Sequence, residues 1–273
     1  MFLGLKQDFA QGTARPIDQL NQLWLMVHQA KEFYLLSNVC PHQRSKISQC
    51  SSTQLQCPYH GMAFDLQGQG IGNAFRLDRR TCFEMGNMLL LTAVKHTFPI
   101  DTATFDLVEH RQDQVNATVE TIMDVFLDTD HIPFAHQGVY DQVGITSIDQ
   151  LTYHVFAGGS IQYVPADINL HMIDADKHLN LGACWMALYP GTMIEWQPGA
   201  LFVTVATPNA AGSQVQVYKY SDQRYSDLHW NNNNAVWETA WEQDRRIAES
   251  IVSVSHTNLN DLQSHHRDFY ALL

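Results

Sequence analysis

The sequence predicts an α+β protein in two parts: a strand-rich N-terminal region, then a region mixing antiparallel strands with helices. Two observations carry this. The first ~95 residues hold short apolar runs punctuated by turn residues and no sustained 3.6-residue period. Beyond Pro99 the pattern changes, and helical periods appear among strand-like runs.

In the first region Leu23-Trp-Leu-Met-Val27 and Phe33-Tyr-Leu-Leu36 read as strands, with Gly68-Gln-Gly70 and Gly72-Asn73 as turns. A strand from Met88 to Val94 closes the set. The boundary is expected between about Lys95 and Asp101, dividing the chain into 1–97 and 98–273. In the second region Val119 to Asp130 reads as a helix. Tyr153–Phe156, Ile161–Val164, Ala183–Leu188, Leu201–Ala206 and Val215–Tyr220 read as strands. Asn231 to Asn234 is a capping stretch, and a helix from about Ala235 to Ser253 is expected to follow it.

Composition narrows the function. With 45% hydrophobic and 16% charged residues, the 273-residue chain is that of an ordinary globular protein. A formal charge of -12 argues against nucleic acid as the main partner, since phosphate binding needs Lys and Arg. The start, Met1-Phe-Leu-Gly-Leu-Lys6, lacks the basic and apolar blocks of a signal peptide, and no apolar run is long enough to cross a bilayer. Five cysteines, an odd number, do not form a secreted disulfide framework, so a reducing, cytoplasmic setting is expected.

The sharpest feature is Cys40-Pro-His42 with Cys57-Pro-Tyr-His60, two short loops with 14 residues between His42 and Cys57. Each offers one thiolate and one imidazole. Two such loops can place both cysteines on one iron and both histidines on the other, the mixed ligation of a Rieske [2Fe–2S] centre. Proline stiffens each loop, and Gly61 lets the backbone approach closely. The alternative is a structural zinc site, although zinc fingers usually pair like ligands together. Cys50, Cys82 and Cys184 have no partner pattern and are expected to pack.

A second concentration of ligands runs from Glu120 to His136. On a helix, Glu120, Asp124, Asp128 and His131 fall within about 80° of one another. An acidic stripe is more often solvated, but Ile122, Val125 and Phe126 give this helix an apolar side and the stripe runs into His131 and His136. Pro133 is expected to end or bend the helix between those histidines, bringing both imidazoles onto one ion. Downstream, Asp244 lies on the apolar stripe Trp237, Trp241, Ala248, Ile251 and Val252, while Glu242 and Glu249 point away from it. A carboxylate aimed at a core must be paired, protonated or metal-bound. Pairing with Arg245 or Arg111 is one reading. The other completes a 2-His-1-carboxylate triad of His131, His136 and Asp244, which leaves positions on iron(II) open for oxygen.

On these residues the chain resembles the catalytic subunits of Rieske non-haem iron oxygenases, in order along nearly its whole length: CxH, CxxH, DxxHxxxxH and a late aspartate. Cys57-Pro-Tyr-His-Gly-Met-Ala-Phe-Asp65 is close to the family's CPYHGWxFD stretch. The resemblance implies an all-β Rieske domain followed by a helix-grip catalytic domain, assembled in rings of three. It implies that His131, His136 and Asp244 hold a mononuclear Fe(II). It further implies that Asp128 bridges the histidine ligands of this iron and of a neighbouring subunit's cluster. His131-Ile-Pro-Phe-Ala-His136, Trp185–Pro190 and Leu201–Pro208 are similar to the choline and carnitine monooxygenase branch. The chain departs from the family in Gln43-Arg44, where Arg-Gly is common, in Met62 where tryptophan is usual, and in its shortness.

The activity so implied is hydroxylation or demethylation of a small organic substrate with O2. Electrons would come from a separate NAD(P)H-dependent reductase or ferredoxin, since no GxGxxG is present. A small amine or quaternary ammonium substrate is suggested by Trp185, Tyr189, Trp196, Trp237 and Trp241, which could form an aromatic cage. The same tryptophans could instead be core, and an aromatic or heterocyclic substrate stays open. The rival from another class is a Rieske electron carrier without a working mononuclear site.

Overall fold

The structure, a computed structural model, describes the chain except for residues 18–19, 21, 48, 51–53, 92–97, 99, 172–175, 253–258 and 271–273; the side chains of 49–50, 167–171, 176–181 and 270 are also outside the description. Two compact units emerge, one of Leu3–Ala93 and one of Met1–Phe2 with Val94–Leu273. The division expected after residue 97 falls outside the described residues.

The N-terminal unit is built of strands β1 (Phe2–Leu5), β2 (Thr13–Pro16), β3 (Trp24–Gln29), β4 (Glu32–Ser37), β5 (Gln49–Cys50), β6 (Gln54–Gln56), β7 (Ala63–Asp65), β8 (Gly70–Ile71), β9 (Arg79–Thr81), β10 (Phe83–Met85) and β11 (Met88–Leu90). They form sheets β2-β3-β4-β9, β5-β6-β7-β8 and β1-β11-β10. The β3–β4 hairpin turns at Ala30-Lys31, both left-handed (φ 50° and 69°), which matches the right-handed twist of the strands. Because successive side chains face opposite ways, Leu25, Val27, Tyr34 and Leu36 pack with Cys40, Leu55, Cys57 and Phe64, while Met26 and Leu35 pack with Leu3, Phe9 and Leu89. The first of these clusters is the floor beneath the two cysteine loops.

The C-terminal unit is an antiparallel sheet of β12 (Phe105–Val115), β13 (Thr152–Phe156), β14 (Gly159–His171), β15 (Asp176–Leu188), β16 (Thr192–Gln197), β17 (Ala200–Asn209) and β18 (Gly212–Asp222), in the order β12-β18-β17-β16-β15-β14-β13. Helices α1 (Val119–Leu127), α2 (Ile132–Ala135), α3 (Asp227–Ser250) and α4 (Asp261–Tyr270) accompany it. The α+β class holds. The expected strands are present and mostly longer than expected, whereas β12, β16 and α4 were not expected at all.

The register sets one row of side chains across the sheet: Tyr153, Gln162, Trp185, Glu195, Phe202, Lys219 and Glu109. Helix α3 lies along this row, with Trp237 and Trp230 stacked on Phe202 at ring separations of 5.1 and 5.6 Å. Lys219, fully buried, is neutralised by Glu109 and Glu238 and bonded to Asn234. Asn231 to Asn234 therefore lie inside α3 and do not cap it. Ser226 is the cap, its Oγ accepting from the His229 amide, and Asn233 bonds back to the His229 carbonyl. The helix stops at Ser250, so Ile251 and Val252 are exposed and do not extend its apolar stripe.

The segment joining β12 to β13, at opposite edges of the sheet, contains α1 and α2. Gly191 lets α1 settle on the sheet, since a Cβ there would meet the Ala206 carbonyl oxygen at 2.5 Å and Val119 Cγ1 at 2.8 Å. The end of α1 is tied to the α4 region: Asn260, just before α4, donates to the Leu127 carbonyl, and Gln263 of α4 donates to that of Asp124, which the Asp128 amide also reaches. Among the described residues no helix is long and apolar enough to cross a membrane.

Candidate metal centres

The two cysteine loops of the N-terminal unit are copies of one another in hydrogen bonding. The Cys40 amide donates to the Ser45 carbonyl and the Arg44 amide to Cys40; correspondingly, Cys57 donates to Met62 and Gly61 to Cys57. The turn demands a left-handed residue in each loop. Gly61 fills it with φ 68°, and Arg44 fills it with φ 60° at the cost that glycine avoids. Cys40 and Cys57 are buried beside each other, while His42 and His60 are exposed with ring centroids 5.0 Å apart. Burial raises both thiols. Backbone amides of His42 and Gln43 point at Cys40 and those of Tyr59 and His60 at Cys57, leaving Cys57 lowered and Cys40 raised. Amides aimed at sulfur stabilise thiolates, and thiolates inside with imidazoles outside fit a mixed-ligand [2Fe–2S] cluster. Cys82 and Cys184 are buried thiols pushed up to about 11 and about 12, mainly by burial, as packing residues would be. The side chain of Cys50 is outside the description.

The second centre lies in the C-terminal unit and departs from the expected helix in an informative way. Helix α1 ends at Leu127, not Asp130. Asp128 takes an extended conformation, accepts a hydrogen bond from the Asp130 amide at 3.2 Å, and turns the chain into a tight turn over Thr129–His131. Pro133 does not break a helix between the histidines. It sits in the first turn of α2, where its missing N–H goes unused, and His131 and His136 flank this short helix. Glu120 and Asp124 do not reach the centre either. Both pair with Arg267 of α4: its Nη1 is 2.7 Å from Glu120 Oε1, and Nε and Nη2 bind the two oxygens of Asp124. The acidic stripe is thus a buried ion pair joining α1 to α4.

His131, His136 and Asp244 do converge. Nε2 of His131 is 3.0 Å from Nε2 of His136 and 3.1 Å from Asp244 Oδ1, and Nε2 of His136 is 2.9 Å from the same oxygen. Arg111 and Arg245 are occupied elsewhere, by Glu238 and Glu242. Three donor atoms on a triangle of this size fit one face of an octahedral ion, since adjacent ligands at about 2.1 Å lie about 3.0 Å apart. Two imidazole nitrogens in contact need either a proton between them or a shared cation to reconcile their lone pairs. Burial opposes ionisation of Asp244, but hydrogen bonds from His131 and His136 outweigh it and hold the carboxyl below its usual range. His136 moves the opposite way: burial lowers it, and Asp244 raises it further.

Sequence reasoning missed four residues here. Gln243 Oε1 lies 2.7 Å from His136 Nδ1, and because that oxygen can only accept, it fixes the proton on Nδ1 and leaves Nε2 free to ligate. Tyr140, Gln162 and Glu195 line the space beside the triad, about 360 Å³ including its open mouth. Phe126, Ile132, Trp185, Met193, Asp128 and Thr129 complete the lining. Glu195 is buried, its oxygens accepting from the indole N–H groups of Trp185 (3.2 Å) and Trp237 (2.9 Å). Burial pushes it up to about 7, with the two indoles opposing and Asp244 adding to the rise. The only available signal was a lone glutamate within Thr192-Met-Ile-Glu195-Trp-Gln197, a strand the sequence reading did not find.

The expected aromatic cage does not form. Of its five rings only Trp185 lines the space. Trp237 and Trp241 stack in the core, and Tyr189 packs on His265, His266 and Phe269 of α4. Trp196 alternates with Glu195 onto the opposite face of β16.

Comparison with known proteins bears on the N-terminal domain and on the fold. Residues 1–77 match the family model of the Rieske [2Fe–2S] domain. The chain is 26% identical over 220 residues to putrescine 2-hydroxylase of Ralstonia nicotianae, covering 68% of this chain and 59% of that protein. It is 24% identical over 139 residues to methylxanthine N1-demethylase NdmA of Pseudomonas putida, covering 44% and 40%. It thus spans less than two thirds of the length of these curated relatives. Its fold matches the quaternary ammonium Rieske monooxygenase CntA solved with L-carnitine, with a TM-score of 0.72 at 13% identity over 100% of this chain and 88% of that one. The QL mutant of Pseudomonas putida NdmA with caffeine matches with a TM-score of 0.56 at 16% identity, over 91% and 80%. The chain resembles Rieske oxygenase α subunits in sequence, and over its whole length it shares the fold of the Rieske monooxygenase CntA.

Proposed function

We propose that this chain is the oxygenase component of a Rieske-type oxygenase that hydroxylates or demethylates a small organic substrate. The observation that carries the proposal is the donor triangle of His131, His136 and Asp244 in a chain that also bears the paired cysteine–histidine loops. Cys40, Cys57, His42 and His60 would hold the [2Fe–2S] cluster, and the triangle would hold Fe(II). When bound, these groups supply one-electron transfer and O2 activation, while the protein positions the substrate and excludes water.

The chain's own residues do the rest. Gln243 orients His136. Phe126, Ile132, Trp185 and Met193 give the space an apolar wall that excludes water from the reacting carbon. Exposed His42 and His60, with Tyr59 against His60, present the cluster end to a reductase or ferredoxin. Asp128 opens onto the space beside the triad and would link it to the histidine of a neighbouring chain's cluster in a ring of three, orienting both imidazoles.

The test uses the whole chain, purified without oxygen, loaded with Fe(II), chemically reduced, and exposed to ¹⁸O₂ with amines and N-methyl compounds. One labelled oxygen in a hydroxylated product, or formaldehyde released with a demethylated one, is the expected result. Fully loaded protein that consumes no O2 on reduction with any substrate would overturn it in favour of an electron carrier.

A further inference from the structure

Resting on that function, we propose that Glu195 and Gln162 form the recognition site for an N–H-bearing ammonium group, so that the substrate is a primary or secondary amine and not a quaternary one. Glu195 seats the ammonium, and Gln162 accepts a further hydrogen bond from the same substrate.

The argument begins with the sheet. Gln162, Trp185 and Glu195 are neighbours in one row across β14, β15 and β16, all facing the space beside the triad. The Gln162 and Glu195 backbones are two strands apart, roughly 10 Å, so their side chains bracket a small polar group lying over Trp185. Gln162 is 1% exposed and its amide oxygen is buried without a hydrogen-bond partner. A buried acceptor left unpaired is costly, and a donor from a bound molecule would satisfy it.

Glu195 is fixed by two indole donors, which occupy one lone pair on each oxygen and leave the others free. No lysine or arginine is among the residues lining the space, so among the described residues no side-chain cation neutralises it there. Beside Trp185, Gln162 Oε1 and the Glu195 carboxylate are both acceptors, and the Tyr140 hydroxyl near them can accept as well as donate. A divalent ion on the triad would favour the anionic form of Glu195. An ammonium with N–H bonds meets both charge and hydrogen-bonding demands. A trimethylammonium group has the charge but no N–H, and a substrate carboxylate would face Glu195 and Asp244 with like charge. Trp185, its ring edge-on to Tyr140, supplies the apolar wall beside the cation.

The experiment is calorimetric titration, without oxygen, of a matched series on one short carbon skeleton: primary amine, secondary methylamine, trimethylammonium and neutral alcohol. Wild type, E195Q and Q162M are compared, with iron and sulfide measured on each. Wild type is expected to bind the two N–H-bearing amines 10- to 100-fold more tightly than the other two, the size of a charge-assisted hydrogen bond. E195Q is expected to lose most of that preference with iron and sulfide unchanged, and Q162M to weaken amine binding about 5- to 10-fold. E195Q sets an amide N–H against an indole N–H; should it fail to fold, the wild-type series and Q162M decide. Equal or tighter binding of the trimethylammonium compound, no binding of either amine, or an unchanged preference in E195Q overturns the proposal. A selective site on a chain that holds no triad iron would instead overturn the oxygenase reading, so the two failures are told apart.

Discussion

Replacing Arg267 by methionine separates the structural acids of α1 from the metal centre. Arg267, 8% exposed, neutralises Asp124, 9% exposed, and also reaches Glu120. Burial alone would raise the Asp124 carboxyl, but hydrogen bonds from His266 and Arg267 hold it below its usual range. R267M keeps the side-chain volume and leaves that carboxylate buried with only His266 of α4 beside it. Breaking a buried pair from one side costs about 3 kcal/mol or more, and roughly 2–4 °C in Tm accompanies each kcal/mol in a chain of this size. A fall of roughly 10 °C is therefore expected. The double variant D124L/R267M should recover most of it, because it removes both charges.

The pH dependence has a definite sign. A carboxyl depressed in the folded state contributes stability above its unfolded value of 3.8, and this is lost as pH falls through the lower folded value. In R267M only His266 opposes burial, so Asp124 lies higher than in wild type and its penalty disappears on protonation. The stability gap between wild type and R267M should narrow as pH falls toward 4. Thermal unfolding across pH 4–8, with iron per folded chain measured alongside, is the assay. Iron at the triad should be unchanged in R267M kept cold. A loss below about 1 kcal/mol, or iron lost from D124N while the fold stays intact, would refute this account of the stripe.

Three further outcomes follow from the geometry. Q243L should weaken iron at the triad about 10- to 100-fold, read as faster loss to a chelator with sulfide content unchanged, because His136 loses the acceptor that fixes its tautomer. R44G should raise stability by about 0.5–1 kcal/mol in denaturant unfolding, since glycine adopts φ 60° without the steric cost. G191A should lower stability by about 2 kcal/mol, because its Cβ meets the Ala206 carbonyl oxygen and Val119 where backbone cannot yield.

Much of both centres was legible because ligands must be particular residue types. Cys40-Pro-His42 and Cys57-Pro-Tyr-His60 lie on short loops whose chemistry is written locally, and Asp244 stood out as a carboxylate on an apolar stripe. What was not legible depended on distant partners. The acids of α1 resembled ligands because their counter-ion, Arg267, is 143 residues from Asp124, in a short helix that the sequence reading did not find. Glu195 and Gln162 acquire meaning only through strand register, which no local pattern reveals. Strand β12 escaped notice because it is an edge strand dense in charge, with Glu109 and Arg111 engaged by Lys219 and Glu238. The hairpin at Ala30-Lys31 lacks the glycine or asparagine that usually announces it. The tryptophans matched a cage in number, but Trp237 stacks on Phe202, Trp241 stacks on Trp237, and Trp196 faces the other side of the sheet.

The central claim is that one chain carries a two-iron cluster and a separate three-ligand iron. Iron, zinc and acid-labile sulfide per chain, measured on anaerobically purified wild type and D244A after incubation with Fe(II), test it most directly. About three irons and two sulfides in wild type, and about two of each in D244A with an unchanged cluster spectrum, is the predicted result. Two irons in wild type that Fe(II) does not raise, or zinc without sulfide, would contradict it.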